Sequence, residues 1–337
     1  MSQPAFFLRP TRIDDGESLN DLYFRLAGIA RTVAQWRWEW LDCPGGPAPS
    51  WVIVERATGR IVGHHGVVPV TLQLGGKVLA AARTENTMVE PRVRTQLRYP
   101  AMEAKLLAEL LSKFDVIYTT SGKGAHGMVR KRLGYEAAGR WRTFVAGTTP
   151  SYIAGRLAGR LAAAVLAPLG RAVSRRRNDA VLVETTDFAA VARLCAAWSD
   201  HAVLAPQRST EMLRWRINEH PYHRGVLATV RTGDVPSAII AWHEAVGPGG
   251  TCEIHVDDLL AAGSDSRNMT LAVAALGHHY RGRPARLLVR ALGAVAEKLE
   301  ASGFRGGAPN GAELLVRSDC LPRAAIWEGT MLIAEGI

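Results

Sequence analysis

The chain has 337 residues, room for two domains of ordinary size, and its 47% apolar and 21% charged content is that of a globular protein, which excludes a disordered chain. No apolar run reaches the roughly eighteen residues a membrane span needs, and the four cysteines (Cys43, Cys195, Cys252, Cys320) are scattered, without the spacing of a disulfide frame or a zinc site. The formal charge of +10 favours anionic partners of three kinds: nucleic acid, an anionic membrane face, or phosphorylated small molecules. MSQPAFFLRPTRIDD lacks the basic-apolar-small order of a signal peptide, so with reduced thiols a cytoplasmic location is expected.

In chain order, residues 6–13 predict a strand, followed by a helix to about Gly28 that Asp14 and Asp15 can cap, with Leu19, Leu22, Tyr23 and Leu26 on one face. RTVAQWRWEWLDCPGG brings Trp36, Trp38 and Trp40 close together, for ligand stacking or, more simply, to fill the gap between a helix and a sheet. WVIVER and RIVGHHGVVPVTLQL predict a hairpin turning at Ala57-Thr58-Gly59, and a further strand follows Gly75-Gly76. That strand ends at Thr87-Met88-Val89 and is closed by Pro91. A helix follows, with Met102, Leu106, Leu107 and Leu110 at helical spacing. Three arginines, Arg92, Arg94 and Arg98, occupy the turn between them. A strand feeding a helix N-terminus is a general anion site, because free N–H groups and the helix dipole converge there. A strand at 115–122, a short helix through KGAHGMVRKRLGYE and a closing strand RWRTFVAG complete the first half.

Residues 149–179 form a basic, apolar linker, its core too short to span a bilayer but able to lie against an anionic membrane face through residues 149–178. The scheme then restarts: a strand at 180–185, a helix from Asp187 with Phe188, Val191, Leu194 and Trp198 inward, and later the strands TCEIHVDDLLA and ARLLVRAL, each followed by a helix. Arg31, Thr32, Arg37, Trp38 and Pro44 recur as Arg208, Ser209, Arg214, Trp215 and Pro221 at a constant offset of 177. The chain reads as a duplicated α+β domain, 1–148 and 180–337, each half a mixed, mostly antiparallel twisted sheet flanked by helices.

TMVEPRVRTQL resembles the strand-to-helix signature V-x-P-x-x-R-G-x-G of the GCN5-related N-acetyltransferases, and SGKGAHGMVRKRLGYE is similar to that superfamily's late N-x-x-A-x-x-x-Y-x-K-x-G-F segment. WRWEWLDCP and its echo LRWRINEHP resemble a subgroup associated with surface-polysaccharide or amino-sugar chemistry. The resemblance implies a tandem fold of this kind and transfer of an acyl group from acetyl-CoA, or another acyl-CoA, to the amine of an amino sugar or other small molecule. It implies no metal and no nucleic-acid partner. Backbone N–H groups around Met88 and Val89 would polarise the thioester carbonyl. The turn residues Arg94, Thr95, Gln96, Leu97 and Arg98, with Ser121 and Arg130, would hold the cofactor. Glu85, Asn86 and His126 are the catalytic candidates, and since adjacent strand residues face opposite ways, either Glu85 or Asn86 faces the cleft.

The departures are definite. Thr95 and Leu97 stand where the superfamily has glycines, Arg130 where it often has a tyrosine acid, and Asn86 where several relatives are acidic. The second half has no arginine turn in VDDLLAAGSDSRN, so it is expected to bury surface or to lend Glu253, Asp257 and Asp258 to an acceptor groove. The pairs His64-His65 and His278-His279 lack helix-spaced metal partners, so neither is expected to bind metal. Besides the acyl-CoA transferase, two other classes fit: an aminoacyl-tRNA-dependent transferase of Fem type, and a non-catalytic member that binds a ligand or partner.

Overall fold

The computed structural model describes residues 5–94, 98–120, 124–148, 180–199, 202–281, 283–301, 304, 306–307, 312–322 and 325–330. It is a mixed α+β structure that divides by contacts into two units. One comprises residues 1–139, 312–325 and 335–337, the other residues 140–311 and 326–334. Among the described residues no helix is long and apolar enough to cross a membrane. The linker 149–179 lies outside them.

In the first unit β1 (Phe6–Pro10), β2 (Ser50–Glu55), β3 (Ile61–Leu74) and β4 (Lys77–Val89) pair antiparallel in that order. β5 (Val116–Thr119) then pairs parallel with β4. Glycines make the two hairpins: Gly59 at φ 70°, and Gly75 and Gly76 at φ 60° and 76° between Leu74 and Lys77. Such left-handed pairs suit the twist of the flanking strands. Helices α1 (Gly16–Ala27) and α2 (Val33–Trp40) cover part of the unit. Asp15 does not cap α1 with its side chain: its carboxylate takes the Arg9 guanidinium at 2.6 and 2.7 Å and the Arg12 N–H at 2.7 Å. Thr32 does cap α2, in a reciprocal box with Gln35.

The three tryptophans of α2 are buried, and Trp36 and Trp40 pack with Leu19, Leu22, Val52 and Val54. They are core, each worth roughly 1.5–3 kcal/mol in burial, and not an exposed stacking surface. This core dictates Gly66. A Cβ there would fall 2.3 Å from the Trp40 ring and 2.5 Å from the Ser50 Cβ. Gly66→Ala is expected to destabilise the chain by about 1–3 kcal/mol through overpacking. A thermal melt unchanged from the unaltered chain would refute this.

In the second unit β8 (Ala180–Glu184), β10 (Gly225–Thr232), β11 (Val235–Val246) and β12 (Cys252–Ala261) pair antiparallel in that order, and β13 (Ala285–Leu292) pairs parallel with β12. That is the strand order and direction of the first unit. The helix Phe188–Trp198 starts at Asp187, whose carboxylate accepts from Ala190 N at 2.8 Å, and the helix Ser266–His279 crosses between β12 and β13. β9 (Val203–Pro206) pairs parallel with β15 (Ile326–Gly329). The repeated Arg-Ser/Thr pairs also have matching structures. Ser209 caps the turn Thr210–Leu213 as Thr32 caps α2. Arg31 and Arg208 are both buried on carboxylates, those of Glu39 and Asp258.

The contact division differs from the expected boundaries of 1–148 and 180–337. β7 (Arg142–Gly147), expected to close the first half, pairs antiparallel with β13 of the second unit, from Arg286↔Gly147 to Ala291↔Arg142. β14 (Glu313–Arg317), late in the second half, pairs with β5 of the first unit and lies beside β6 (Glu136–Arg140). A ladder is made by backbone groups, so the open edge of a sheet accepts any strand delivered to it, whatever its place in the chain.

Candidate functional site

In the first unit the β4–β5 pairing covers only Ala81↔Val116 to Arg83↔Tyr118. Beyond that rung the strands run on separately, β4 through Val89 and β5 through Thr119, and leave a notch. On the other side of β4 the register slips: His64 faces Met88 but Gly66 faces Glu85, so β4 carries one extra residue, a bulge at Asn86–Thr87. Bulges re-aim side chains and recur beside functional sites. Glu90 N–H bonds to Val62 O on the β3 side, so by alternation the Val89 groups point into the notch. The Val89 carbonyl does meet a partner there, Arg94 Nε at 2.7 Å.

Pro91 ends β4 and starts the single turn α3 (Pro91–Arg94), ahead of α4 (Arg98–Leu110). Glu90, just before it, gathers three guanidiniums: Arg25, Arg60 at 3.2 Å and Arg92 at 3.0 Å. Burial would raise the Glu90 carboxyl, and Arg92 and Arg25 bring it below the usual range. Arg92 also holds Glu55 at 2.6 Å, so it is committed to fixing the turn. Arg94, by contrast, places its guanidinium at the notch backbone. Thr95, Gln96, Leu97 and Ser121 lie outside the described residues, and Arg98 is placed only as the first residue of α4.

Below the notch lies a buried polar network that sequence reasoning missed. Glu103 on α4 takes Arg130 Nε at 3.0 Å and the Tyr99 hydroxyl at 2.8 Å, and His65 Nε2 lies 2.8 Å away. Arg130, on α5 (Gly124–Arg132), also donates to Thr119 Oγ1 at 2.8 Å and Thr87 Oγ1 at 3.0 Å, one hydroxyl on each of the separating strands. Thr87 Oγ1 is 2.8 Å from His65 Nδ1. Burial alone would raise the Glu103 carboxyl, but His65 and Arg130 hold it well below the usual carboxylate range. Burial pushes the Tyr99 and Tyr135 hydroxyls up. The only sequence signal was Arg130 itself, in a helix position that tyrosine often fills.

The catalytic candidates separate. His126 lies half-buried on α5, edge-on to the Tyr99 ring at 4.6 Å, and burial, with Arg130 and Arg94, lowers its pKa. Glu85 is buried with Arg83, two residues back on the same face of β4, at 2.9 Å. Glu39, from the tryptophan-rich segment, joins them: its carboxyl is pushed up to about 7 by burial and by the charge of Glu85, against Arg31 and Arg83. Asn86 sits at the bulge. In the second unit the three acidic candidates are partnered: Asp258 by Arg208, Asp257 by His243, and Glu253 by Arg286 and His255.

No protein-family model matches the chain, and no curated protein matches it in sequence. Solved structures do match. A probable N-acyltransferase of unknown function from Enterococcus faecalis V583 superposes with a TM-score of 0.62 at 11% identity, over 94% of this chain and 72% of that one. A GCN5-related N-acetyltransferase from Anabaena variabilis gives 0.65 at 10% identity, over 93% and 72%. Saccharomyces cerevisiae N-myristoyltransferase with bound myristoyl-CoA gives 0.56 at 11%, over 94% and 83%. The parallel pair that parts at a bulged strand, together with these superpositions over nearly the whole chain, gives this protein the fold of the GCN5-related N-acetyltransferases.

Proposed function

We propose that the first unit is an acyl-CoA-dependent N-acyltransferase, passing an acetyl or related group directly from thioester to the amine of an amino sugar or other small molecule. The observation that carries this is the notch: a parallel pair that parts after Arg83↔Tyr118, beside a bulge, and turns at Pro91 into a helix N-terminus. Two hydroxyls next to it suit the polar thioester and amide groups of a bound acyl-CoA. The hydroxyls of Thr84 and Thr120, just past the last rung, are shielded from solvent and make no hydrogen bond among the described residues.

In this scheme the Val89 N–H, aimed into the notch, receives the thioester oxygen as negative charge develops on it. The Glu85–Glu39 pair takes the proton from the acceptor ammonium, and the freed amine attacks the carbonyl carbon. The C–S bond breaks, the electron pair leaves on the CoA sulfur, and the thiolate takes up a proton. Arg94, beside the Val89 carbonyl and the N-terminus of α4, faces the diphosphate end. The amino-sugar acceptor rests on the likeness of WRWEWLDCP to the sugar-associated subgroup.

A second proposal has one observation in its favour. Arg130 bridges Thr87 and Thr119, so a protein side chain ties together the strands between which an acyl chain would pass. A non-catalytic relative would tolerate such a tie. Calorimetry with acetyl-CoA separates the two. The transferase binds it saturably, and Arg94→Ala weakens binding by about 1.5–3 kcal/mol, the loss of a charge-assisted contact. No binding at millimolar acetyl-CoA favours the second proposal. Binding unaffected by Arg94→Ala removes the turn from the site.

A further inference from the structure

The second unit holds an unexpected column of imidazoles. His220 stacks on His223 (3.7 Å between centroids, 18° between planes), His223 on His243 (3.6 Å, 10°) and His243 on His255 (5.1 Å, 18°). They come from three places: the loop before β10, strand β11 and strand β12. His243 and His255 are direct ladder partners, which puts their rings on one face. The register then slips between Ala241 and Trp242, so that Asp257 is the extra residue of a bulge in β12. The bulge brings its carboxylate to His243 Nδ1 at 2.9 Å.

We infer that His223, His243 and Asp257 form a binding site for a divalent first-row transition metal of the Zn2+ class. One ligand atom from each lies within 4.8 Å of the others. A tetrahedral ion with bonds of about 2.1 Å holds its ligand atoms roughly 3.4 Å apart, and because the His223 and His243 rings stand within 10° of parallel, they must turn for their in-plane lone pairs to meet at one ion. Two imidazoles and one carboxylate select this class over Mg2+ or Ca2+, which prefer all-oxygen sites. A second observation points to a ligand: His223 Nδ1 is shielded from solvent and makes no hydrogen bond among the described residues. His255, stacked on His243, is itself fixed, since its Nε2 meets Glu253 at 3.1 Å and Glu253 is held by Arg286 at 2.9 Å. A cavity of about 540 Å³ adjoins the cluster, lined by His223 and His243 with Tyr222, Cys252 and Arg283, which leaves room for a water or an anionic oxygen to complete the coordination. No spacing in the sequence discloses this site, because its ligands lie on three separate elements.

The test is metal binding by the full chain after dialysis against chelator, with no activity needed. Co2+ is followed by its ligand-field absorption and Zn2+ by calorimetry. The expected result is saturable binding at one ion per chain, weakened about tenfold or more in both His223→Gln and Asp257→Asn and unchanged in His278→Gln, an exposed histidine outside the cluster. Absence of saturable binding overturns the inference, as does equal binding by His223→Gln and the unaltered chain. Should Asp257→Asn fail to fold, His223→Gln, which alters a loop residue, decides by the same criterion.

Discussion

Replacing Arg130 by methionine should cost the first unit about 3–5 kcal/mol of stability, the penalty for breaking a buried ion pair from one side. Arg130 and Glu103 are both almost wholly buried, at 3% and 1% side-chain exposure. Removing the guanidinium leaves an ionised carboxylate in the interior with His65 and the Tyr99 hydroxyl as its remaining partners. It also releases Thr87 and Thr119 from the tie across the notch. Much of the loss is the penalty of the stranded charge. Adding Glu103→Leu to Arg130→Met should therefore recover a large part of it, a coupling that a double-mutant cycle in urea measures. A loss below about 1 kcal/mol in the single variant would mean that water already reaches Glu103. The same carboxylate sets an acid limit. Its folded pKa is depressed from the ordinary 4.5, so its contribution is complete above that value and fades as pH falls through the folded one. Arg130→Met should weaken that dependence, with His65 and Tyr99 still lowering the carboxyl.

The main strands of the first unit were legible because strand alternation and left-handed glycine turns are local signals. Gly59 and Gly75-Gly76 marked hairpins that the structure contains. The Arg31/Arg208 repeat was legible too, and its cause is physical: an N-cap hydroxyl following a buried arginine, built twice. What the sequence could not disclose was partnership. Arg92 and Arg94 look alike in a basic turn, yet one is tied to Glu55 and Glu90 and the other reaches the Val89 carbonyl. Glu103, His65, Thr87 and Thr119 carry no motif, since each is an ordinary residue until the fold brings it to Arg130. The pairing of the edge strands was hidden for a related reason. Residues 142–147 and 313–317 are plain edge strands, and nothing in an edge strand's side chains names the backbone it will pair with.

Substituting Glu85 by glutamine is expected to lower kcat by about 10²–10⁴-fold, the range for removing a general base, with the KM for acyl-CoA little changed. Glu85 lies at the bulged stretch of β4, opposite Gly66, and Arg83 holds its position. Its charge is also one reason why the Glu39 carboxyl is pushed up to about 7, after burial itself. The two carboxylates are thus coupled, and their titration belongs to the pair. This has a stability consequence of definite sign. A carboxyl whose folded pKa lies above its ordinary 4.5 favours the fold at low pH, and that favour is lost as pH rises from 4.5 through about 7. Removing the Glu85 charge should bring the Glu39 value down and flatten this slope. Rate against pH and melting temperature against pH, measured on the same variant, read the two effects separately. If Glu85→Gln keeps kcat within about threefold while the melting profile flattens as expected, Glu85 is a structural partner of Arg83 and the proton leaves the amine by another route, for which His126, its pKa lowered by burial, is the next candidate.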